Sequence, residues 1–590
     1  MKRNTLLSVT ALCLASALLL GACGAQQLPE IPATTQPQTQ PPTTVATEPP
    51  FTIDSIRTAQ LSDVPVYSLY YDTACYMLYY QLMDQADGAF QLHSMVTRGD
   101  GAQLLARVTG EEEVTLEDPD APLTRAQLAV LLFEAAQKLG IPTELTDAQV
   151  TYLDVELQQA DQEETETTWK QAALWASQAG LLRCFVADRL LPDTAVSRLQ
   201  LAQAFLGLKA MDTEDVLAKQ IYEALPDRTA DSAALKNHDA IQAAVDAAAQ
   251  KYGAEGLQVA VIENGTVTDT YAYGWATKST DKMTADHKIR IASISKVAVG
   301  IAAQLLREEG VIDLDADISE YWDVAVKNPK YPERPITIRG MLTHTSSIVN
   351  AGDSTSRAYS SVKSKLQGAG YSGAVPGDIG YWAYNNYAFA VLGMTLELAA
   401  DRVVDDILKE KLYGPMDIDA AFGSGDLKNT DLLATIYRAD GTVGRPVSKS
   451  KGLHSPEEPG ASGSYFAGGM TTSVYDLAKL IALLAADGMY EGVQLMEEAS
   501  IEQMETRIET PVPGGSYQAL PMRYWPELYG REGIYFHTGS AYGVFNAATY
   551  DPVTRDGVVV LTSGASGAKD EYGIYKVCAA INEYIYNVIQ

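Results

Sequence analysis

Two tight turns with matching apolar flanks constrain this chain most. Asn264-Gly265 separates the apolar runs 258–263 and 266–273, and near the other end Asp556-Gly557 separates 543–550 from 558–562. Asn-Gly between two such runs is a strong hairpin signal, because both turn positions need positive φ. A helix is predicted just before the first pair, from Ile241 to Tyr252, and an amphipathic helix after the second, to the end of the chain. The order calls for an antiparallel sheet built from both ends of residues 236–590, flanked by helices, with a helical subdomain inserted between: an α+β class.

The insertion opens on Ser293-Ile-Ser-Lys296. A serine hydroxyl needs a nearby proton acceptor to act as a nucleophile, and residues i and i+3 share a helix face. The spacing alone is weak, since Ser279/Lys282, Ser360/Lys363, Ser448/Lys451 and Ser566/Lys569 share it. Those four lie in polar or Gly-rich stretches. Ser293 instead follows Ile289, Ile291 and Ala292 and precedes Val297, Ile301, Leu305 and Leu306 at helical spacing, with a stop expected at Gly310.

Three further stretches supply partners. Tyr384-Asn385-Asn386 precedes Tyr387, Phe389, Val391 and Leu392, a turn entering a buried helix. His537-Thr538-Gly539 follows the apolar run 533–536 and should sit on a sheet edge, and Thr343-His344-Thr345-Ser346 follows the run 336–342. In order and approximate distance, Ser293-Ile-Ser-Lys296, Tyr384-Asn-Asn386 and His537-Thr-Gly539 resemble the three motifs of class C β-lactamases and their penicillin-binding-protein relatives. Leu342-Thr-His-Thr-Ser346, Ala467-Gly-Gly469 and Asp476-Leu477-Ala478 are similar to secondary markers of that superfamily. The resemblance covers essentially all of 236–590.

That resemblance implies an acyl-enzyme mechanism. Ser293 would attack an amide, lactam or ester carbonyl, with the Lys296/Tyr384 pair as its base and Tyr384 returning the proton to the leaving group. Asn386 would hydrogen-bond a substrate amide, and backbone N–H groups of Ser293 and Ser540 would form the oxyanion hole. His537 would sit beside Tyr384 and bias its proton, with Thr538 and Gly539 on the substrate side. His344 is read as structural. β-Lactamases usually carry lysine where His537 stands, so loss of a fixed cation should weaken recognition of a substrate carboxylate. No Gly-x-Ser-x-Gly nucleophile elbow occurs.

Residues 1–22 read as a lipoprotein signal: Lys2 and Arg3, an apolar stretch from Leu6 to Leu20, then Leu20-Gly21-Ala22-Cys23, which resembles the bacterial lipobox. A lipidated Cys23 would tether the chain to a membrane surface, placing it at the bacterial cell surface on the outer face of the cytoplasmic membrane. No later stretch is apolar enough to span a bilayer. Residues 23–52, rich in Gln, Thr and Pro, read as an extended tether.

Residues 53–212 read as a small all-α domain with an irregular repeat marked by Thr97-Arg98, Thr124-Arg125 and Ser197-Arg198. Gln127 and Gln200 complete capping boxes in the last two. With Tyr152-Leu153-Asp154-Val155, Trp169, Trp175, Gly180 and Leu191-Pro192-Asp193, the order resembles the S-layer homology domain. That resemblance implies binding of a cell-wall polymer through Arg125 and Arg198. Residues 213–235 read as a linker before the 236–590 domain.

The formal charge of −31 argues against a nucleic-acid partner. Cys75, Cys184 and Cys578 are neither a disulfide framework nor a metal site, with a Cys75–Cys184 bridge as an open alternative, and no cofactor or metal is expected. The function that fits is a surface-anchored serine hydrolase acting on D-amino-acyl amide or ester bonds in peptidoglycan stems or wall-linked D-alanine. The alternatives are a general esterase or β-lactamase of the same fold, or a non-catalytic wall-binding or penicillin-sensing protein.

Overall fold

A computed structural model describes residues 52–589 except for short stretches, the longest being 146–168, 183–191 and 226–231. The signal segment, Cys23 and the tether before Thr52 lie outside the described residues, as do Tyr152–Val155 of the repeat pattern, Leu191, Asp193 and Cys184. Cys75 and Cys578 are buried thiols. No helix among the described residues is long and apolar enough to cross a membrane.

The repeat in the helical region is more regular in space than in sequence. Thr97, Thr124 and Ser197 cap the helices Arg98–Thr109, Arg125–Lys138 and Arg198–Ala210, each through a reciprocal capping box. Asp100 completes the first box in the role that Gln127 and Gln200 play in the others. The residues just before the caps close a ring. The Val96 N–H donates to the Val196 carbonyl at 3.0 Å, the Val196 N–H to Leu123 at 2.8 Å, and the Leu123 N–H to Val96 at 2.9 Å. Three buried apolar residues thus satisfy one another's backbone groups around a pseudo-threefold axis, which burial requires.

The expected linker is shorter than 213–235. Val216–Ala224 is a helix, capped by Asp215, whose Leu217, Ala218 and Ile221 join the helical core. Its apolar face needs cover, and the neighbouring repeat helices supply it. At the other end, Ser232 caps Ala233–Lys236, Ser232 Oγ donates to Glu263, and Ala234 is buried in the second domain. Val493, on the hairpin formed by Met489–Tyr490 and Val493–Gln494, buries against the helical region, so the two domains touch.

The second domain is organised on one eight-stranded antiparallel sheet. Its spatial order is Tyr517–Gln518, Arg523–Trp525, Ile534–Ala541, Val544–Tyr550, Gly557–Ser563, Gly256–Glu263, Thr266–Thr277 and Asp281–Lys282. The two chain ends meet in the middle, where Gly256–Ile262 pairs Ser563–Gly557. Asn264 and Gly265 adopt φ of 48° and 74°, as the two-residue turn requires.

Alternate residues of the central strands serve two cores. Val259, Val261, Val558 and Val560 pack on Ile241, Val245, Ile581 and Ile585 of the terminal helices His238–Tyr252 and Lys576–Val588. Ala260, Ile262, Val559 and Leu561 face Val474–Ala485 and the inserted helices. Burial on both faces explains the continuous apolar runs in these strands.

Two predicted boundaries move. Gly557 already pairs with Ile262 and Tyr550, so the second turn lies before it, where the Asp551 carboxylate accepts from the Val553 N–H. The run 533–536 continues to Ala541, because His537–Ala541 pairs with Ala548–Val544 despite its small and polar residues.

Candidate active site

Ser293 sits in a single 3-10 turn, Ala292–Ile294, leading directly into the helix Ser295–Glu308. Ala292 is held at φ 52°, a left-handed conformation that an alanine adopts only under constraint. The constraint is local: buried Ser295 Oγ donates to the Ala292 carbonyl at 2.6 Å and accepts from the Met470 N–H at 3.0 Å. Gly539 lets the His537-Thr-Gly strand close over the turn, since a Cβ there would lie 2.2 Å from the Ile291 carbonyl oxygen.

Lys296 projects from the first turn of that helix into the protein and is fully buried. Its Nζ donates to Ser293 Oγ at 3.1 Å and to the Ala467 carbonyl at 2.5 Å. Burial first, and then the nearby charge of Arg357, lowers its pKa to about 7. An amine that is about half neutral at pH 7 can accept a proton from the hydroxyl beside it.

Tyr384 closes the other side, sharing a hydrogen bond with the Ser293 hydroxyl. Burial raises its phenol to about 12, and Arg523 opposes that rise. The phenol therefore keeps its proton, while the amine of the expected Lys296/Tyr384 pair titrates near neutral pH. The Lys296 ammonium position lies 5.0 Å from the Tyr384 ring centroid and 5.4 Å from that of Phe389.

His344 holds Tyr384 by both neighbours: its carbonyl accepts from the Ala383 N–H and its Nδ1 from the Asn385 N–H, each at 3.1 Å. Burial first, then the nearby Lys296 and Arg523, push its pKa well below the ordinary value, so the ring stays neutral with Nδ1 as acceptor. Its role is positioning. Asn385 caps the helix Asn386–Ala400, leaving Asn386 at the mouth. Among the described residues the buried Asn386 Oδ1 has no hydrogen-bond partner, an acceptor ready for a donor from outside the protein.

His537 differs from the expectation. Its Nδ1–H donates to the Thr538 carbonyl at 2.9 Å, and burial followed by Lys296 lowers its pKa to about 3. A neutral ring offers no charge, and the cation acting on Tyr384 is Arg523 instead. Ser540 is exposed on the same strand, its side chain against Tyr575.

Arg523 was not legible as a site residue in the sequence. It lies on the short strand Arg523–Trp525, donates from Nε to Ser516 Oγ at 2.8 Å, and packs its guanidinium on Phe536. Among the described residues no carboxylate pairs with it. Its charge reaches Tyr384, His344, His537 and Lys569. A cation thus lies near the His537 motif, on a neighbouring strand. Of the expected wall-binding residues, Arg125 and Arg198 occupy equivalent first positions of two ring-capped helices in the other domain. Arg125 is buried and Arg198 packs on Phe90.

A family model described as Beta-lactamase matches residues 241–578. Penicillin-binding protein 4* of Bacillus subtilis (strain 168) is 23% identical over 185 residues, covering 30% of this chain and 39% of that protein, so the chain spans about two fifths of that curated relative's length. Among solved structures, the octameric penicillin-binding protein homologue from Pyrococcus abyssi has a TM-score of 0.48 at 21% identity, over 59% of this chain and 76% of that one. The D-amino acid amidase from Ochrobactrum anthropi SV3, solved with L-phenylalanine, has 0.47 at 22%, over 59% and 97%. A class C β-lactamase from Rhodobacter sphaeroides has 0.46 at 18%, over 59% and 99%.

Proposed function

This chain belongs to the β-lactamase family through residues 241–578, and from that premise we propose that it is a surface-anchored serine hydrolase that forms an acyl-enzyme through Ser293. The observation that carries the proposal is the fully buried Lys296 amine, lowered to about 7 and 3.1 Å from Ser293 Oγ. Neutral Lys296 takes the hydroxyl proton as Ser293 attacks the carbonyl carbon. Tyr384, hydrogen-bonded to the same oxygen, passes its proton to the leaving amine or alcohol and regains one from Lys296 through that oxygen; water then attacks the acyl carbonyl, its proton passing to Lys296 and on to the freed Ser293 hydroxyl. The N–H groups of Ser293 and Ser540 hold the developing oxyanion, an interaction worth about 3–4 kcal/mol in comparable sites. Asn386 Oδ1 accepts from the substrate's amide N–H.

The substrate class we propose is a D-amino-acyl amide or ester, in peptidoglycan stems or as wall-linked D-alanine. Arg523, paired with Phe536 on the strand that carries His537, supports a substrate bearing a carboxylate, which the His537 motif alone would bind weakly. Neutral His537 keeps the cleft wall uncharged, with a bare Nε2 as acceptor. Lipidation at Cys23 and contact of the helical domain with wall polymer, through Arg125 and Arg198, would keep the enzyme at the outer face of the cytoplasmic membrane. The pseudo-threefold arrangement of these capped helices supports a shared repeat origin for that surface.

Labelling with a fluorescent penicillin and a fluorophosphonate, on the protein and on Ser293→Ala, tests the proposal. Both probes should label the protein and neither the variant. Labelling by the fluorophosphonate alone would favour a general esterase, and no Ser293-dependent labelling would leave a binding protein.

A further inference from the structure

A second cationic site adjoins the catalytic turn. Arg290 lies three residues before Ser293, and its Nε donates to the Gly468 carbonyl at 2.6 Å, one peptide beyond the Ala467 carbonyl that takes Lys296. Arg445, on the Val443–Arg445 strand, approaches from a separate hairpin. Both guanidinium carbons pack on the ring of Tyr542, at 5.3 and 4.4 Å from its centroid. Close glycine packing fixes this meeting: a Cβ on Gly444 would lie 2.0 Å from the Tyr542 carbonyl oxygen, and one on Gly543 1.9 Å from that of Tyr437.

A small, partly enclosed recess lies beside the pair, lined by Lys288, Arg290, Arg445 and Thr471 together with the apolar Leu433 and Ile436. Lys288 is neutralised there by Asp476 at 2.6 Å and Asp419 at 3.6 Å. The arginines are not. Among the described residues neither has a carboxylate partner, and the buried Arg445 Nε makes no hydrogen bond. Burial lowers Arg290 from its ordinary value, and Arg445 lowers it further.

In a chain with 75 acidic and 44 basic side chains, two adjacent half-buried guanidiniums without an acid are an uncompensated charge pair. Guanidinium groups recognise planar or tetrahedral oxyanions through paired N–H donors. We propose that Arg290 and Arg445 form a binding site for an oxyanion group, carboxylate or phosphate, entering beside Tyr542 at the edge of the catalytic cleft. The ligand is either a free anion or an anionic group on the substrate. The site needs no chemistry at Ser293, so it stands or falls apart from the hydrolase reading.

Isothermal titration calorimetry of the full chain with inorganic phosphate and with acetate, at low ionic strength, tests it. At least one anion should bind, with at least tenfold loss in Arg445→Gln and intermediate affinity in Arg445→Lys, while circular dichroism of both variants stays that of the parent. Equal binding by Arg445→Gln, or no binding of either anion to the parent, would overturn the site. Steady-state kinetics with a matched pair of esters, one neutral and one carrying a carboxylate, distinguish the two sources. Phosphate raising KM only for the acidic ester identifies a substrate subsite. Phosphate that binds but leaves both KM values unchanged identifies a free-anion site.

Discussion

Around the threefold ring the polar groups close on one another. Thr97, Thr124 and Ser197 each give and receive hydrogen bonds within their own capped turn, and Val96, Leu123 and Val196 exchange backbone bonds. Around Ser293 they stay open. Among the described residues, Lys296 is buried without a carboxylate, Asn386 Oδ1 has no partner, and Arg523 has no acid. The first arrangement stabilises a fold, and the second holds groups in states that water would not allow. Substitutions in the two regions should therefore act on different quantities, stability in one and turnover in the other.

Among residues outside the proton relay itself, the largest effect should come from the clamp on Tyr384. His344→Ala frees both peptide neighbours of the phenol and should lower kcat by about 100-fold, the scale of a misplaced catalytic group. His344→Asn, which offers an oxygen acceptor, should recover part of it, whereas a purely structural role would show only in thermal unfolding. Arg523→Gln should lower kcat/KM about tenfold or more for a carboxylate-bearing substrate and leave a neutral ester unchanged. Equal losses on both would assign Arg523 to Tyr384 rather than to substrate.

Lys296→Met separates the two quantities within one residue: it should abolish acylation and raise stability by about 1–2 kcal/mol near pH 6. The sign follows from the lowered pKa. Between about 7 and the ordinary lysine value near 10.4 the unfolded chain binds the extra proton, so the cost of Lys296 is complete below pH 7 and fades as pH rises. Unfolding curves of the parent and Lys296→Met at pH 6 and 9 should converge at the higher pH. The smallest effect belongs to the helical region, where Thr124→Ala should cost about 1 kcal/mol of stability with unchanged turnover. A fall in turnover there would show that the contact at Val493 couples the domains.

What was legible in the sequence follows the same division. Ser293, Lys296, Tyr384, Asn386 and His537 stand in short contiguous motifs beside strong apolar runs, so local pattern marks them. Arg523 and Arg445 are single cations on strands of three residues, and only the sheet order and a packed glycine bring them to their sites. The charge state of His537 was equally hidden, because it depends on burial beside Lys296 rather than on its neighbours in sequence. In the helical region the caps were readable but the ring was not. Long insertions separate its three members, and backbone hydrogen bonding between Val96, Leu123 and Val196 leaves no side-chain signature.

With Lys296 acting as a neutral base, the decisive measurement is the pH dependence of the acylation rate in single turnovers with a fluorescent penicillin or an activated ester. The rate should rise with pH to a plateau, with a midpoint near 7. Tyr384, held near 12, and His537, held near 3, contribute no inflection between pH 5 and 9. A rate independent of pH across that range, or one still climbing at pH 9 toward an ordinary lysine value, would contradict it.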